Sequence, residues 1–223
     1  MADLLVTGTD TDVGKTVVAA AIILGLRQMG IRAVGFKPAE TGLAPEAPAD
    51  SEVLAVASTI DVPLARPLLR RPELLCPAVA ADRAGLVLAP QEIEERISAL
   101  RAAGHFVVVE GTGGILAPLA WGYTVLDLAS RMGLEAVVVS RAGLGALNHV
   151  SLTVEALRRR DVPIRGVVLN ARGEPPDLAE ATNPAALERL LPGLKIVTVP
   201  RQAPSTPLGV ARGSVGAVMR LWH

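Results

Sequence analysis

Short apolar runs and longer amphipathic stretches alternate along this chain. The runs are Leu4–Val6, Ala33–Phe36, Phe106–Val109, Ala136–Val139, Ile164–Leu169 and Ile196–Val199. Near-continuous apolar runs of this length suit strands buried on both faces. Helical spacing fills most of the intervals, at Thr16–Met29, Pro90–Ala103, Thr124–Met132, Leu147–Arg160 and Asn183–Leu191. A shorter helix is headed by Asp50 in "DSEVLAVAS". Strand alternating with helix predicts an α/β fold, a mostly parallel central sheet with helices on both faces. Gly30, Gly104, Gly133 and Gly193 each follow a helical pattern and read as helix ends. The proline-rich stretches Ala44–Pro48 and Val62–Pro77 read as irregular connections, the first a candidate lid. In sheets of this kind ligands bind at the carboxyl ends of the strands.

Composition narrows the picture. The chain has 223 residues, half of them apolar, which suits one globular domain spanning 1–223. Its 22 basic and 22 acidic residues balance, so no general field attracts nucleic acid or an anionic membrane. Two Trp, two Phe and one Tyr supply no base-stacking platform. The single cysteine, Cys76, excludes an internal disulfide and fits a reducing compartment. The start "MADLLVTG" lacks a basic leader, and the apolar run Val17–Leu26 is too short to span a bilayer. A cytoplasmic protein is expected. Nineteen of the basic residues are arginine; only Lys15, Lys37 and Lys195 are lysine. Lysine kept against that bias marks places where a compact ammonium is needed and a guanidinium fork does not fit.

Candidate chemistry collects at the expected strand ends. "VTGTDTDVGKT", Val6–Thr16, joins the first strand to a helix through Gly14-Lys15-Thr16, the context of a phosphate-binding loop. Its spacing is unusual. Thr9 stands at the usual first-glycine position, Gly8 comes one residue early, and Asp10 and Asp12 lie between. Backbone N–H groups and the helix N-terminus would hold phosphates, Lys15 would reach the β and γ phosphates, and Thr16 would coordinate Mg²⁺. In "GFKPAETG" a second strand delivers Lys37 toward the same phosphate, or merely ends in a snorkelling lysine. In "VVVEGTGG" a buried run ends in Glu110, a carboxylate placed for Mg²⁺ or for capping a turn. Asp50 is either a helix N-cap or the third oxygen ligand beside Thr16 and Glu110. "SRAGLGALNH" leads a glycine-punctuated turn into a helix N-terminus suited to an anion. Asn170 ends the strand "VVLN", where its amide can read an adenine edge. Pro200 and Arg201 end the next strand in the same way.

Taken in order and spacing, "VTGTDTDVGKT", "KPAETG", "VEGTGG" and "LGALNH" resemble the dethiobiotin synthetases, over Leu4 to about Arg201. The resemblance implies a P-loop NTPase-like fold and a homodimer. It implies an ATP-dependent ligase that builds a ureido ring from 7,8-diaminopelargonate and CO₂, with Mg²⁺ as cofactor. By resemblance, Lys37, Lys15 and Thr11 are catalytic, and Thr16, Asp50 and Glu110 serve Mg²⁺. Asp12, Val13, Gly14, Lys15, Thr16, Val17, Asp50, Glu110, Gly111, Thr112, Gly113, Asn170, Pro200 and Arg201 hold ATP. Thr41 contacts the diamine or carbamate. Gly145, Ala146, Leu147 and Asn148 hold the substrate carboxylate across the dimer interface. Asp10 is structural, and Asp12 shares the substrate side with Thr11. Three departures stand out. Glu52 competes with Asp50 for the metal. Ala78 follows Pro77 where the family commonly has histidine. Thr112 replaces a usual alanine.

Two rival readings share the loop. A partitioning-type ATPase switch generally carries a second lysine five residues before the loop lysine, where this chain has Asp10. It also usually has an aspartate–threonine–proline type segment where "EGTGG" stands. A cobyrinate-type amidotransferase synthetase would need a glutaminase partner or domain, for which 223 residues leave no room.

Overall fold

The computed structural model describes residues 2–58, 62–171, 175–203 and 206–222. In chain order the elements are β1 (Leu4–Gly8), α1 (Lys15–Gln28), β2 (Ala33–Phe36), β3 (Ala39–Thr41), α2 (Asp50–Ser58), β4 (Leu69–Arg71), α3 (Pro77–Arg83), α4 (Pro90–Ala102) and β5 (Phe106–Gly114). There follow β6 (Pro118–Ala120), β7 (Tyr123–Thr124), α5 (Val125–Met132), β8 (Glu135–Arg141), α6 (Ala146–Arg158), β9 (Ile164–Asn170), α7 (Leu178–Leu190), β10 (Ile196–Val199) and α8 (Pro207–Val218). Six strands form one parallel sheet in the order β10-β9-β8-β1-β5-β2. All six apolar runs of the sequence are in it. The order reverses at β1, which pairs with β5 on one side and β8 on the other. That reversal opens a crevice at the carboxyl end of β1.

Period-two alternation divides the core between the two faces. Leu4, Val6, Val108, Val137 and Val168 face α1, α2 and α8 through Ile22, Leu54, Ala211 and Val218. Leu5, Val107, Val109, Val138 and Val167 belong with Ile97 of α4, Leu128 of α5, Val154 of α6 and Leu187 of α7. Burial on both sides explains why the strands are apolar without interruption.

Several elements differ from expectation. The strand that was to end at Glu110 continues to Gly114, because its glycines allow the backbone to draw level with Gly8, which pairs with Gly114 after a bulge. α7 begins at Leu178 rather than Asn183. Asp177 caps it by accepting from the Glu180 N–H at 2.8 Å, so Pro184 sits inside the helix instead of opening it. α8 was not foreseen. Its glycines lower helix propensity, but Thr206 caps it, Pro207 opens it, and the face carrying Ala211 and Val218 is buried in the core. The 62–77 connection contains the short strand β4, which pairs with β3 apart from the main sheet. Gly30, Gly104, Gly133 and Gly193 all have positive φ just past helices, as expected of helix ends.

Candidate active site

The loop from Gly8 to Gly14 is held by its neighbours. A Cβ on Gly8 would meet the Asp10 carbonyl at 2.6 Å and the Gly113 carbonyl at 3.0 Å, so this early glycine permits the tight start. Asp12, at φ 55°, and Gly14, at φ 93°, both take the left-handed conformation. Asp10 is bonded within the loop and to β8. One carboxylate oxygen accepts from the Arg141 guanidinium at 2.7 Å, and the other accepts from the Thr11 N–H at 2.7 Å. Its backbone carbonyl accepts from Lys15 Nζ at 2.9 Å. Thr9 adds a side-chain bond to Ser140 at 3.2 Å. The loop is thereby tied to the carboxyl end of β8.

A polar cluster lies beside the loop. Thr16 Oγ1 is 2.7 Å from Asp50 Oδ1 and 2.8 Å from Glu110 Oε1. Lys37 Nζ lies 2.5 Å from Asp50 Oδ2 and 2.6 Å from Glu110 Oε1. β1 feeds Thr16 through the loop, β2 delivers Lys37, β5 carries Glu110 and the first turn of α2 brings Asp50. Asp50 is therefore not the N-cap of α2. That role falls to the buried Glu40 of β3, whose carboxylate accepts from the Ser51 N–H at 2.5 Å and from Ser51 Oγ at 2.9 Å. Glu52, the competitor for the metal, turns away to Arg70 at 3.3 Å and to the Ala49 N–H at 3.2 Å.

Burial sets the electrostatics. It disfavours the Lys37 ammonium, but the Glu110 and Asp50 carboxylates outweigh it and hold the lysine above its ordinary value. Burial and the neighbouring Lys37 charge lower Lys15. Burial would raise Asp50, yet Lys37 and the Thr16 hydroxyl hold it low. Burial pushes the fully enclosed Glu110 up, against the pull of Lys37. A threonine hydroxyl has one proton to donate, yet two carboxylate oxygens crowd Thr16 Oγ1. Glu110 Oε2 is buried with no hydrogen-bond partner among the described residues. Three convergent oxygen-bearing side chains with an unpartnered carboxylate oxygen suit a hard divalent cation.

These groups line a cavity of about 830 Å³, together with Thr11, Asp12, Gly14, Val17, Thr41, Thr112 and Gly113. It also takes in Gly42, Pro48 and Cys76, and Leu74, Leu75 and Pro207, the last three of which the sequence did not single out because an apolar lining carries no motif. The remaining expected residues lie elsewhere. Val13 is buried under the loop, and Gly111 packs against Val125, which a Cβ there would meet at 2.9 Å. Asn170 is bonded to the back of the loop at the Val13 carbonyl, 2.7 Å away. Pro200 and Arg201 are exposed beyond β10. Gly145, Ala146, Leu147 and Asn148 begin α6 outside this cavity, after Leu144, which is 98% exposed. A second cavity, of about 400 Å³ beside α2 and β2, includes Glu52 and Arg70 but no loop residue.

A parallel sheet reversing at its first strand, with a Gly-Lys-Thr turn opening the next helix, defines a P-loop nucleoside-triphosphate-binding protein. Among solved structures, a septum site-determining protein MinD complexed with Mg-ADP from Pyrococcus horikoshii matches with TM-score 0.59 and 17% identity, over 98% of this chain and 93% of that one. A Cyanothece McdA variant in complex with ATP matches at 0.58 and 13% identity, over 100% and 96%. These likenesses concern the fold. An AAA domain family model matches residues 2–207. The ATP-dependent dethiobiotin synthetase BioD of Anaeromyxobacter sp. (strain K) is 44% identical over 85% of this chain and 86% of its own length. That of Rhodococcus jostii is 41% identical over 100% and 94%, and that of Mycobacterium tuberculosis 39% over 100% and 97%. The chain belongs to the ATP-dependent dethiobiotin synthetase family.

Proposed function

We propose that this chain carboxylates 7,8-diaminopelargonate with CO₂ and closes the ureido ring at the expense of ATP. One amine attacks CO₂ and loses a proton, giving a carbamate. A carbamate oxygen attacks the γ-phosphorus, the bond to the bridging oxygen breaks, and ADP leaves. The product is a carbamic–phosphoric anhydride. The second amine attacks its carbonyl carbon, a proton is lost and phosphate departs, leaving the cyclic urea of dethiobiotin. Little covalent work falls to the protein in such a transfer; positioning and charge stabilisation dominate.

The carrying observation is the convergence of Lys15, Lys37, Thr16, Asp50 and Glu110 on one cavity, in a chain of this family. Lys15 and Lys37 stabilise charge on the γ-phosphate and carbamate oxygens. Thr11 and Thr41 flank the diamine, with Asp12 on the same side. Thr16, Asp50 and Glu110 would hold Mg²⁺, which when bound would supply neutralisation of the charge on the transferring phosphoryl group. Asn170, Pro200 and Arg201 lie on the adenine side, and Thr112 and Gly113 line the nucleotide, with Gly111 letting the strand pack behind them on Val125. Gly145, Ala146, Leu147 and Asn148 hold the substrate carboxylate of a second protomer. Exposed Leu144 and Leu152, 98% and 61%, supply apolar surface for that homodimer.

Purified protein with diaminopelargonate, bicarbonate, ATP and Mg²⁺ is expected to yield dethiobiotin and phosphate in equal amounts. Hydrolysis of ATP without the cyclic product would refute the reading.

A further inference from the structure

We infer that Asn170, besides its place on the adenine side, is a positioning residue that sets the shape of the phosphate-binding loop. The inference rests on the reading of residues 8–16 as that loop. Asn170 is the last residue of β9 and lies between Arg141 of β8 and Val199 of β10 in the sheet register. Its backbone carbonyl accepts from the Ala142 N–H at 3.0 Å. Its Cα is thus fixed by strands on both sides. From this fixed point Nδ2 donates to the Val13 carbonyl at 2.7 Å, across 157 residues of sequence. A carbonyl only accepts, so the amide orientation follows from its partner: nitrogen toward the loop, oxygen away from it.

The bond constrains more than one atom. A trans peptide unit is planar, with C=O and N–H on opposite sides. Holding the Val13 carbonyl therefore turns the Gly14 N–H away from Asn170. Gly14 lines the large cavity, whereas Asn170 does not. Loop N–H groups are what a phosphate loop offers its ligand. The amide also lies flush against Gly14, where a Cβ would come 2.3 Å from Nδ2. Gly14 is thus required both by its φ of 93° and by the close approach of Asn170.

A second asparagine steadies the support. Asn183 of α7 is buried and donates to the Ala142 and Gly143 carbonyls at 2.7 and 2.9 Å. The segment entering α6 is thereby bonded to α7 through Asn183 and to β9 through Asn170, and Asn170 in turn is bonded to the loop.

The test separates a loop support from a base reader by using a ligand that has no base. Dissociation constants for Mg-ATP and for Mg-tripolyphosphate are measured by calorimetry on the full chain, its Asn170→Ala variant and its Asn170→Leu variant. Leucine keeps the volume against Gly14 and adds no charge, so it tests the lost donor if alanine loosens the fold; melting temperatures are recorded alongside. Expected is a weakening of about tenfold for both ligands, the scale of one buried hydrogen bond. ATP weakened with tripolyphosphate unchanged would make Asn170 a base reader only and overturn the inference. So would unchanged affinities accompanied by a lower melting temperature, which would mark a purely structural role. A wild-type protein that binds ATP but not tripolyphosphate would also overturn it, by making the base the anchor. One that binds neither would remove the phosphate-loop reading itself.

Discussion

At the scale of single residues, Lys37 carries the heaviest constraint. It is a buried ammonium shared by two carboxylates, and removing it takes away the counter-charge in direct contact with both. Lys37→Gln is expected to lower turnover by about two orders of magnitude or more, the effect of losing one preorganised charge-stabilising group. Steady-state dethiobiotin formation measures it, and near-normal turnover would remove Lys37 from the chemistry. The same residue predicts a pH dependence. Its folded-state value lies above the ordinary 10.5, so the native state binds this proton more tightly than the unfolded chain does. Its contribution to stability is complete below pH 10.5 and fades as pH rises beyond it. In denaturant titrations, the stability difference between wild type and Lys37→Met should be smaller at about pH 11 than at about pH 8, by roughly 1 kcal/mol. An equal difference at both pH values would contradict the pairing. Lys15 and Lys37 were legible because lysine is scarce in an arginine-rich chain. Glu40 was not, since nothing local distinguishes an acid that caps a distant helix from one facing solvent.

At the scale of elements, α2 shows how the site is mounted. Its first turn supplies Asp50, and its orientation is held by Glu40, which accepts from Ser51 and pairs with Arg70 at 3.1 Å. Glu40→Ala should cost about 2 kcal/mol, because a charged acceptor for a helix N-terminus is lost and Arg70 loses a partner. Urea unfolding followed by circular dichroism should show a lower midpoint with an unchanged slope. An unchanged midpoint would mean that water replaces Glu40 without penalty. Turnover at limiting Mg²⁺ should fall with it, since Asp50 moves with the helix. Strand and helix periodicity found the six-stranded sheet and most of its covering helices. It missed α8, because its glycine-rich sequence is helical through capping and tertiary burial rather than propensity. The start of α7 is set by the Asp177 cap, ahead of the Asn183 that periodicity marked.

At the scale of the whole molecule, the sheet order brings residues from across the chain to one edge. Lys15, Lys37 and Glu110 come from the loop after β1 and from the adjacent β5 and β2 side of the sheet, while Gly145–Asn148 follow β8 on the other. With that second group outside the cavity, a shared site needs two copies of the chain. Sedimentation at micromolar concentration should give a dimer, and a fully active monomer would refute the shared site. By itself the sequence determined the strand–helix alternation, the phosphate loop and which lysines stand at its strand ends. Those features are written in local period, backbone needs and residue type. Only the tertiary structure decided that Asp50 rather than Glu52 faces Thr16, that Glu40 caps α2 and that Asn170 grips the Val13 carbonyl. Each of these turns on where a side chain from a distant strand or helix comes to rest, and only the packing of those elements fixes that. The early Gly8 and Asp10 of "VTGTDTDVGKT" are explained the same way, by Gly113 and Arg141 more than a hundred residues away.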